Sequence, residues 1–390
     1  MKRFLLAGAL VVLLVQSASA PAAVGPSVNA GRVHTWAPQY MDGAKQITLA
    51  QAVADAKTFD VIAGLEKVYR PYVSQMKAAN PKLQLFVYQK GMFVYNKTLT
   101  ESAYSHDANG NRIQGRHFAG TYLLNPVSPK ALAYQISEAQ QNLSSSGFDG
   151  IFMDTLGIAA LNPTFVTSLP VNPATGQVWA KNDWVKASST MAGQVAAAIG
   201  KPVIGNGLRD GRSYFDPNVL TSQLLKSGLS AGMAEAWLRG ATNPIDAYPR
   251  ESVWQQNVDM IADAGSLGGS VLAVTKVWTN GTKAQKDAWY EFALASFLLG
   301  SDGHSYLSFT YAPGDATVVY PWSALNLGSP SGRYAKVNNV YQRSFSSGRV
   351  LVNPTPSTFT VKLGGTFHTL DGAVVTSVTL KANSAEILTT

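Results

Sequence analysis

The chain has 390 residues, no cysteine, and 31 Lys plus Arg against 23 Asp plus Glu, a formal charge of +8. The lack of cysteine excludes disulfide scaffolds, thiol nucleophiles and cysteine-held metal centres. The basic residues are scattered rather than gathered into the stripe or tail of a nucleic-acid binder. Charged residues reach only 14%, against roughly 25% in an average soluble chain.

Residues 1–20 read as an export signal. Lys2 and Arg3 open it, Phe4 to Val15 is apolar, and Ala18-Ser19-Ala20 is a cleavage signature. The apolar run is too short to span a bilayer, and no later stretch is long enough. The expected mature chain therefore begins near Pro21 and acts in a periplasm or outside the cell, without membrane insertion.

From there short apolar runs alternate with helical patterns. Eight strands are expected, near 31–37, 59–64, 83–89, 149–154, 202–206, 231–236, 270–276 and 304–310. Thr48 is placed to cap a helix carrying Leu49, Ala52, Val53 and Ala56. Ser128 caps another that starts at Pro129, with Leu132, Ile136, Ala139 and Leu143 along one face. Trp254, Val258 and Ile261 mark a third helix, and Trp289, Phe292, Ser296 and Leu299 a fourth. Eight strand–helix units over residues 21–335 predict an α/β fold, a (β/α)8 TIM barrel; a doubly wound sheet is the rival. The long stretches near 91–126 and 155–184 would be loops over the catalytic face. Beyond residue 335 the pattern becomes short strands separated by Pro, Gly or Asn turns. This predicts a small C-terminal antiparallel β-sandwich over 336–390.

Barrel chemistry sits at the C-terminal ends of strands, where alternate residues face inward. Gly150-Ile151-Phe152-Met153-Asp154 sets Phe152 and Asp154 on one face. Gly232-Met233-Ala234-Glu235-Ala236-Trp237 sets Glu235 and Trp237 together, and Val203-Ile204-Gly205-Asn206 ends between them in an amide. Two carboxylates with an amide and aromatic rings suit hydrolysis of a glycosidic bond. One carboxyl must protonate the departing oxygen while the other attacks the sugar or activates water. The competing reading makes Asp154 a loop cap and Glu235 the ion-pair partner of Arg209 or Arg239. His34 and Trp36 (strand 1), Tyr88 and Lys90 (strand 3), Lys276 and Trp278 (strand 7), and His304 and Tyr306 (strand 8) are further candidates for the mouth. Asp60 reads as a capping residue.

Gly147-Phe148-Asp149-Gly150-Ile151-Phe152-Met153-Asp154, Gly205-Asn206-Gly207 and Ala234-Glu235-Ala236-Trp237 together resemble the fifteenth hypothetical glycosyl hydrolase family of bacterial (β/α)8 barrels. More distantly they are similar to the α-galactosidase clan and the endo-α-galactosaminidases. Gly348-Arg349-Val350-Leu351-Val352-Asn353-Pro354 and Leu370-Asp371-Gly372 resemble the β-sandwich that closes many such enzymes. The resemblance implies a strand-4 nucleophile, Asp154, and a strand-6 acid/base, Glu235, in a retaining enzyme for α-linkages. The chain departs from the α-galactosidase clan in having Glu rather than Asp at the second position, and Phe152 where the clan has Lys.

Other motifs carry less. Gly228-Leu229-Ser230-Ala231-Gly232 matches a nucleophile elbow but runs from helix to strand, the reverse of what the elbow needs. Gly205-Asn206-Gly207-Leu208-Arg209-Asp210-Gly211 lies mid-chain with no helix opening on it. Five histidines show no metal-ligand spacing, and Asp107-Ala108-Asn109-Gly110-Asn111 lacks the distal Glu of a calcium loop. The expectation is a secreted, monomeric glycoside hydrolase that needs no metal or cofactor and acts on a poly- or oligosaccharide. Asp154 and Glu235 are its catalytic pair, with Asn206, Trp237, Tyr88, Lys90, Trp36, His34, Lys276 and Trp278 around the substrate. The rivals are a non-catalytic glycan-binding barrel and a lyase or aldolase forming a Schiff base on Lys276.

Overall fold

The structure, a computed structural model, describes Val24 and residues 30–42, 47–65, 67–144 and 147–390; the expected export signal lies outside the described residues. Eight strands pair in parallel in chain order: β1 (Trp36–Pro38), β2 (Val61–Leu65), β3 (Gln84–Lys90), β4 (Gly150–Asp154), β5 (Val203–Asn206), β6 (Ala231–Ala234), β7 (Ser270–Lys276) and β8 (Tyr306–Thr310). A parallel bridge between Thr35 and Leu307 brings the last strand back to the first, which closes the barrel. All eight expected strands are present, most of them displaced by one or two residues at an end.

The connecting helices are α1 (Leu49–Thr58), α2 (Val73–Ala79), α3 (Pro129–Leu143), α4 (Lys181–Ile199), the short α5 (Gly211–Phe215) and α6 (Gln223–Lys226), α7 (Glu251–Ser266) and α8 (Lys283–Gly300). Their starts follow from local chemistry. Thr48 with Gln51, and Thr282 with Gln285, form reciprocal capping boxes. Ser128 accepts from the Lys130 and Ala131 amides, with Pro129 at the first helical position.

Of the expected stripe on α3, Ala139 is fully buried, together with Ala131 and Gln135, while Leu132, Ile136 and Leu143 are partly buried. Small side chains let this helix sit close to the sheet. Gln135 satisfies its buried amide by donating to the Lys90 carbonyl at 3.1 Å and to the Gly91 carbonyl.

Inward alternation along the strands fills the barrel. Trp36, Phe86, Phe152, Ile204, Met233 and Val274 belong to one interior cluster, with Tyr40 and Tyr88 packed on it. The outward residues join the helices in a second, larger core.

The glycines at 205–211 have packing reasons. A Cβ on Gly207 would meet the Gly157 nitrogen at 2.7 Å, and one on Gly211 would meet the Gln256 carbonyl at 2.2 Å. Two βα loops and a helix thus close on one another where a phosphate loop would stay open.

The C-terminal region is a six-stranded antiparallel sheet, with β9 (Ala335–Val337), β10 (Val340–Phe345), β11 (Gly348–Asn353), β12 (Phe359–Thr369), β13 (Val374–Leu380) and β14 (Ser384–Thr389) in the order β9-β10-β11-β14-β12-β13. It wraps around its own apolar cluster, which includes Val340, Leu351, Val361, Val378 and Leu388, and forms the small β-sandwich. The longest of these, β12, runs unbroken through Gly364 and Gly365, and its pairing with β13 shifts between Lys362 and Phe367.

Candidate active site

Asp154 is the last residue of β4, Asn206 of β5 and Lys276 of β7, while Glu235 follows β6 directly. Strand parity turns all four toward the barrel axis at one end. The Asn206 Nδ2 amide donates to Asp154 Oδ1 at 2.8 Å and to Glu235 Oε2 at 3.0 Å. Because both oxygens bond the same nitrogen, their separation cannot exceed the sum of those lengths. The two carboxylates therefore reach the same space at this end of the barrel.

Each carboxylate has further donors. The Tyr88 hydroxyl donates to Asp154 Oδ2 at 2.7 Å, and the Thr155 amide bonds the same carboxylate. Lys276 Nζ lies 2.9 Å from Glu235 Oε1, and the Tyr40 hydroxyl adds a bond to Glu235. Burial, then the adjacent Glu235 charge, raises Asp154 above the usual carboxylate range despite its three donors. Burial raises Glu235 too, but the Lys276 charge and the bonds from Lys276, Asn206 and Tyr40 outweigh it and hold Glu235 low. Burial, with the Glu235 and Asp154 charges behind it, keeps Tyr40 a neutral phenol. Neither Arg209 nor Arg239 pairs with Glu235. Arg209 pairs with Asp210, and Arg239 is buried against backbone carbonyls and Thr279.

The backbone is strained at this end. Thr155, Arg209 and Leu238 have φ of 61°, 67° and 63°, left-handed values that non-glycine residues avoid. They follow Asp154, Asn206 and Glu235 within three residues each. Left-handed Thr155, a β-branched residue, is the costliest kind, and its amide is one of the Asp154 donors. Strain of this type concentrates at sites where a polar group must be aimed. Gly91 is equally constrained: its amide donates to the Asp154 carbonyl at 2.9 Å, and a Cβ would meet that oxygen at 2.2 Å.

The other expected mouth residues divide. Tyr88 and Lys90 border a small recess with Asp154, Thr155 and Phe118. The Lys90 ammonium lies against the rings of Tyr95 at 4.8 Å, Phe118 at 5.4 Å and Tyr88 at 5.7 Å. Trp278 is half-buried, held by its indole N–H on Thr310 Oγ1 at 2.9 Å, with Lys276 Nζ 5.2 Å from its ring centre.

Three expectations need correction. Trp237 is fully buried and donates to the Asn257 carbonyl of α7 at 2.9 Å. Strand β6 ends at Ala234, so the turn after it carries Trp237 outward and parity no longer applies. Trp36 is fully buried in the barrel interior, its indole on the Ala273 carbonyl at 3.1 Å. His34 lies at the opposite end of the barrel, buried beside Asp60 at 3.4 Å and edge-on to Tyr306. None of the three faces the carboxylate pair. His304 also stays away from the mouth, beside Asp302 at 3.5 Å.

Tyr40 was missed by sequence reasoning. It sits beyond β1 in a 3-10 turn (Gln39–Asp42), stacked on Phe152 with ring centres 5.2 Å apart. A signal for it existed in Gly64, a glycine inside β2. There φ is 75° and a Cβ would meet the Tyr40 ring at 2.8 Å.

The model of hypothetical glycosyl hydrolase family 15 matches residues 74–349. No curated protein matches the chain. Among solved structures the chain is similar to a GH31 dextranase of Flavobacterium johnsoniae complexed with isomaltotriose (TM-score 0.51, 11% identity, 95% of this chain and 52% of that one). It is also similar to a GH31 sulfoquinovosidase of E. rectale (0.50, 11%, 93% and 63%) and a GH36 α-galactosidase of Geobacillus stearothermophilus (0.50, 9%, 93% and 56%). The chain spans about half to two thirds of the length of these proteins, and at such low identity the likeness is one of fold. With more than two thirds of its residues covered by the family model, and with the expected carboxylates at the ends of its strands, the chain belongs to hypothetical glycosyl hydrolase family 15.

Proposed function

We propose that the protein is an exported glycoside hydrolase that cleaves a poly- or oligosaccharide with retention of configuration, using Asp154 and Glu235 as its carboxylate pair. The observation that carries this reading is the single Asn206 amide bonded to both carboxylates at 2.8 and 3.0 Å. It sets a spacing suited to attack on the anomeric carbon by one group while the other protonates the departing oxygen. Trp278 and the Tyr95–Phe118 side of the mouth offer ring faces to a sugar, and Lys90 offers a donor. A preference for α-linkages is supported by the resemblance of the strand-4 and strand-6 motifs, and by the fold shared with an α-galactosidase. Export is supported by the signal pattern of residues 1–20.

The test is release of reducing ends from a panel of α- and β-linked oligosaccharides, with the product anomer followed by NMR. Asp154→Asn and Glu235→Gln should each lower kcat/KM by at least ~10³-fold while the melting temperature holds. Near-native hydrolysis by either variant would remove that residue from the chemistry. Saccharide binding without bond cleavage in the native chain would favour the glycan-binding barrel. Borohydride trapping of a substrate on Lys276 would favour the lyase or aldolase.

A further inference from the structure

Position in the barrel, through the family resemblance, gives the attack to Asp154; the surroundings of the two carboxylates differ in a way that gives it to Glu235. Lys276 Nζ sits 2.9 Å from Glu235 Oε1, and its side chain is only 10% exposed at the end of an inward-facing strand position. The ammonium is therefore fixed in place, and among the described residues Glu235 is its one ion-pair partner. Asn206 and Tyr40 supply two more donors to the same carboxylate.

Asp154 receives neutral donors alone: Tyr88, Asn206 and the Thr155 amide. Lys90, the other cation on this side, lies against three aromatic rings and forms no ion pair with Asp154 among the described residues. Two carboxylates thus share one cation. The proton that relieves their repulsion settles on the carboxyl that lacks it, and environments that separate two acids in this way assign their roles.

We propose that Glu235 is the nucleophile and Asp154 the proton donor, with Lys276 and Tyr40 as the positioning residues that fix this order. The proposal rests on the retaining reading above and exchanges the roles implied by the resemblance. In the first step a Glu235 oxygen forms a bond to the anomeric carbon. The glycosidic bond breaks with its electron pair leaving on the oxygen, and that oxygen takes the Asp154 proton. In the second step Asp154, now ionised, takes a proton from water as the water oxygen bonds the same carbon, and the ester bond returns its pair to Glu235.

One test needs no substrate. The full chain, labelled with carbon-13 at its Asp and Glu carboxyls, is titrated by NMR, with D154N and E235Q identifying the two signals. Near neutrality the Glu235 signal should be that of an ionised carboxylate while Asp154 titrates above the usual aspartate range, and K276M should bring the two together. Ionised Asp154 with protonated Glu235 in the native chain overturns the proposal.

A second test uses 4-nitrophenyl glycosides with added azide. Rescue of E235A should give the glycosyl azide of inverted configuration, and rescue of D154A the retained one. The opposite outcome overturns the exchange and leaves the pair standing; near-native hydrolysis by both variants removes the pair itself and this proposal with it. K276M should lose at least ~10²-fold in kcat and shift the acid limb of the pH profile upward, and K276R should restore most of both. An unmoved pH profile in K276M would reduce Lys276 to a packing residue.

Discussion

Acidic side chains crowd together in two parts of this molecule, with opposite results. At the mouth, Asp154 and Glu235 share an amide and are ringed by Tyr88, Tyr40, the Thr155 amide and Lys276. At the seam between α8 and the C-terminal sheet, Glu291 is half-buried, within reach of the charges of half-buried Glu386 and exposed Asp371. Burial, then those two charges, raises Glu291 to about 7. No cation figures among the groups acting on it, and Glu386 is raised in turn by burial and by Asp371. Crowding alone is a cost to the fold, since each ionised acid loses water and gains a neighbour of like sign. A cation and directed donors turn the same crowding into two groups with different proton affinities. Perturbed carboxylates therefore mark chemistry only where their partners converge on a space that a substrate can enter.

The largest expected effect that sharpens this contrast is at Asn206. Asn206→Ala removes the shared donor and should cost ~10²–10³-fold in kcat, checked on whichever glycoside the native chain hydrolyses. An unchanged kcat would show that the amide does not hold the pair.

At the seam the expected response is to pH. The fold disfavours ionised Glu291, so the native chain binds this proton more tightly than the unfolded chain, where the group titrates near its ordinary value of 4.5. Its favourable contribution is full below that value and is lost as pH rises toward about 7. Glu291→Gln should therefore raise the unfolding midpoint by a few degrees in mildly alkaline buffer, leave it alone in acid, and spare activity. A midpoint that rises equally at both ends of the range would rule out ionisation as the cause.

The smallest expected effect is at the strained Thr155. Thr155→Gly should stabilise the chain by about 0.5–1 kcal/mol, read by denaturant unfolding, while lowering kcat because the Asp154 donor is less firmly aimed. Loss of stability instead would mean that the left-handed turn carries no strain.

How much of this was legible in the sequence depends on distance from a strand. Within strands, alternation was enough to send Phe152 and Asp154, Ile204 and Asn206, and Val274 and Lys276 inward together. Past a strand end it failed. Trp237 lies three residues beyond Ala234, where a turn reverses its direction. Placing the first strand at 31–37 put His34 and Trp36 near its exit, whereas β1 runs from Trp36 to Pro38 and the exit belongs to Tyr40. The Lys276–Glu235 bond joins residues 41 positions apart, and only closure of the barrel brings them together. Composition and spacing could nominate both residues for the mouth but not pair them.

One contact outside the mouth bears on how the chain is made. Arg343, on β10, donates through Nη1 to the carbonyls of Leu298 at 3.0 Å, Leu299 at 3.1 Å and Ser301 at 2.6 Å. It thereby meets the open C-terminal end of α8, whose last carbonyls have no partner within the helix and carry its negative pole. The residue that finishes this barrel helix is thus encoded more than forty positions after it. A ribosome delivers α8 and β8 before the group that completes them. A nascent barrel released at residue 335 would hold its final helix unfinished and its sheet-facing side bare. The C-terminal sheet serves the barrel as a closing clamp made after it, and a cut between them would separate a helix from its own end.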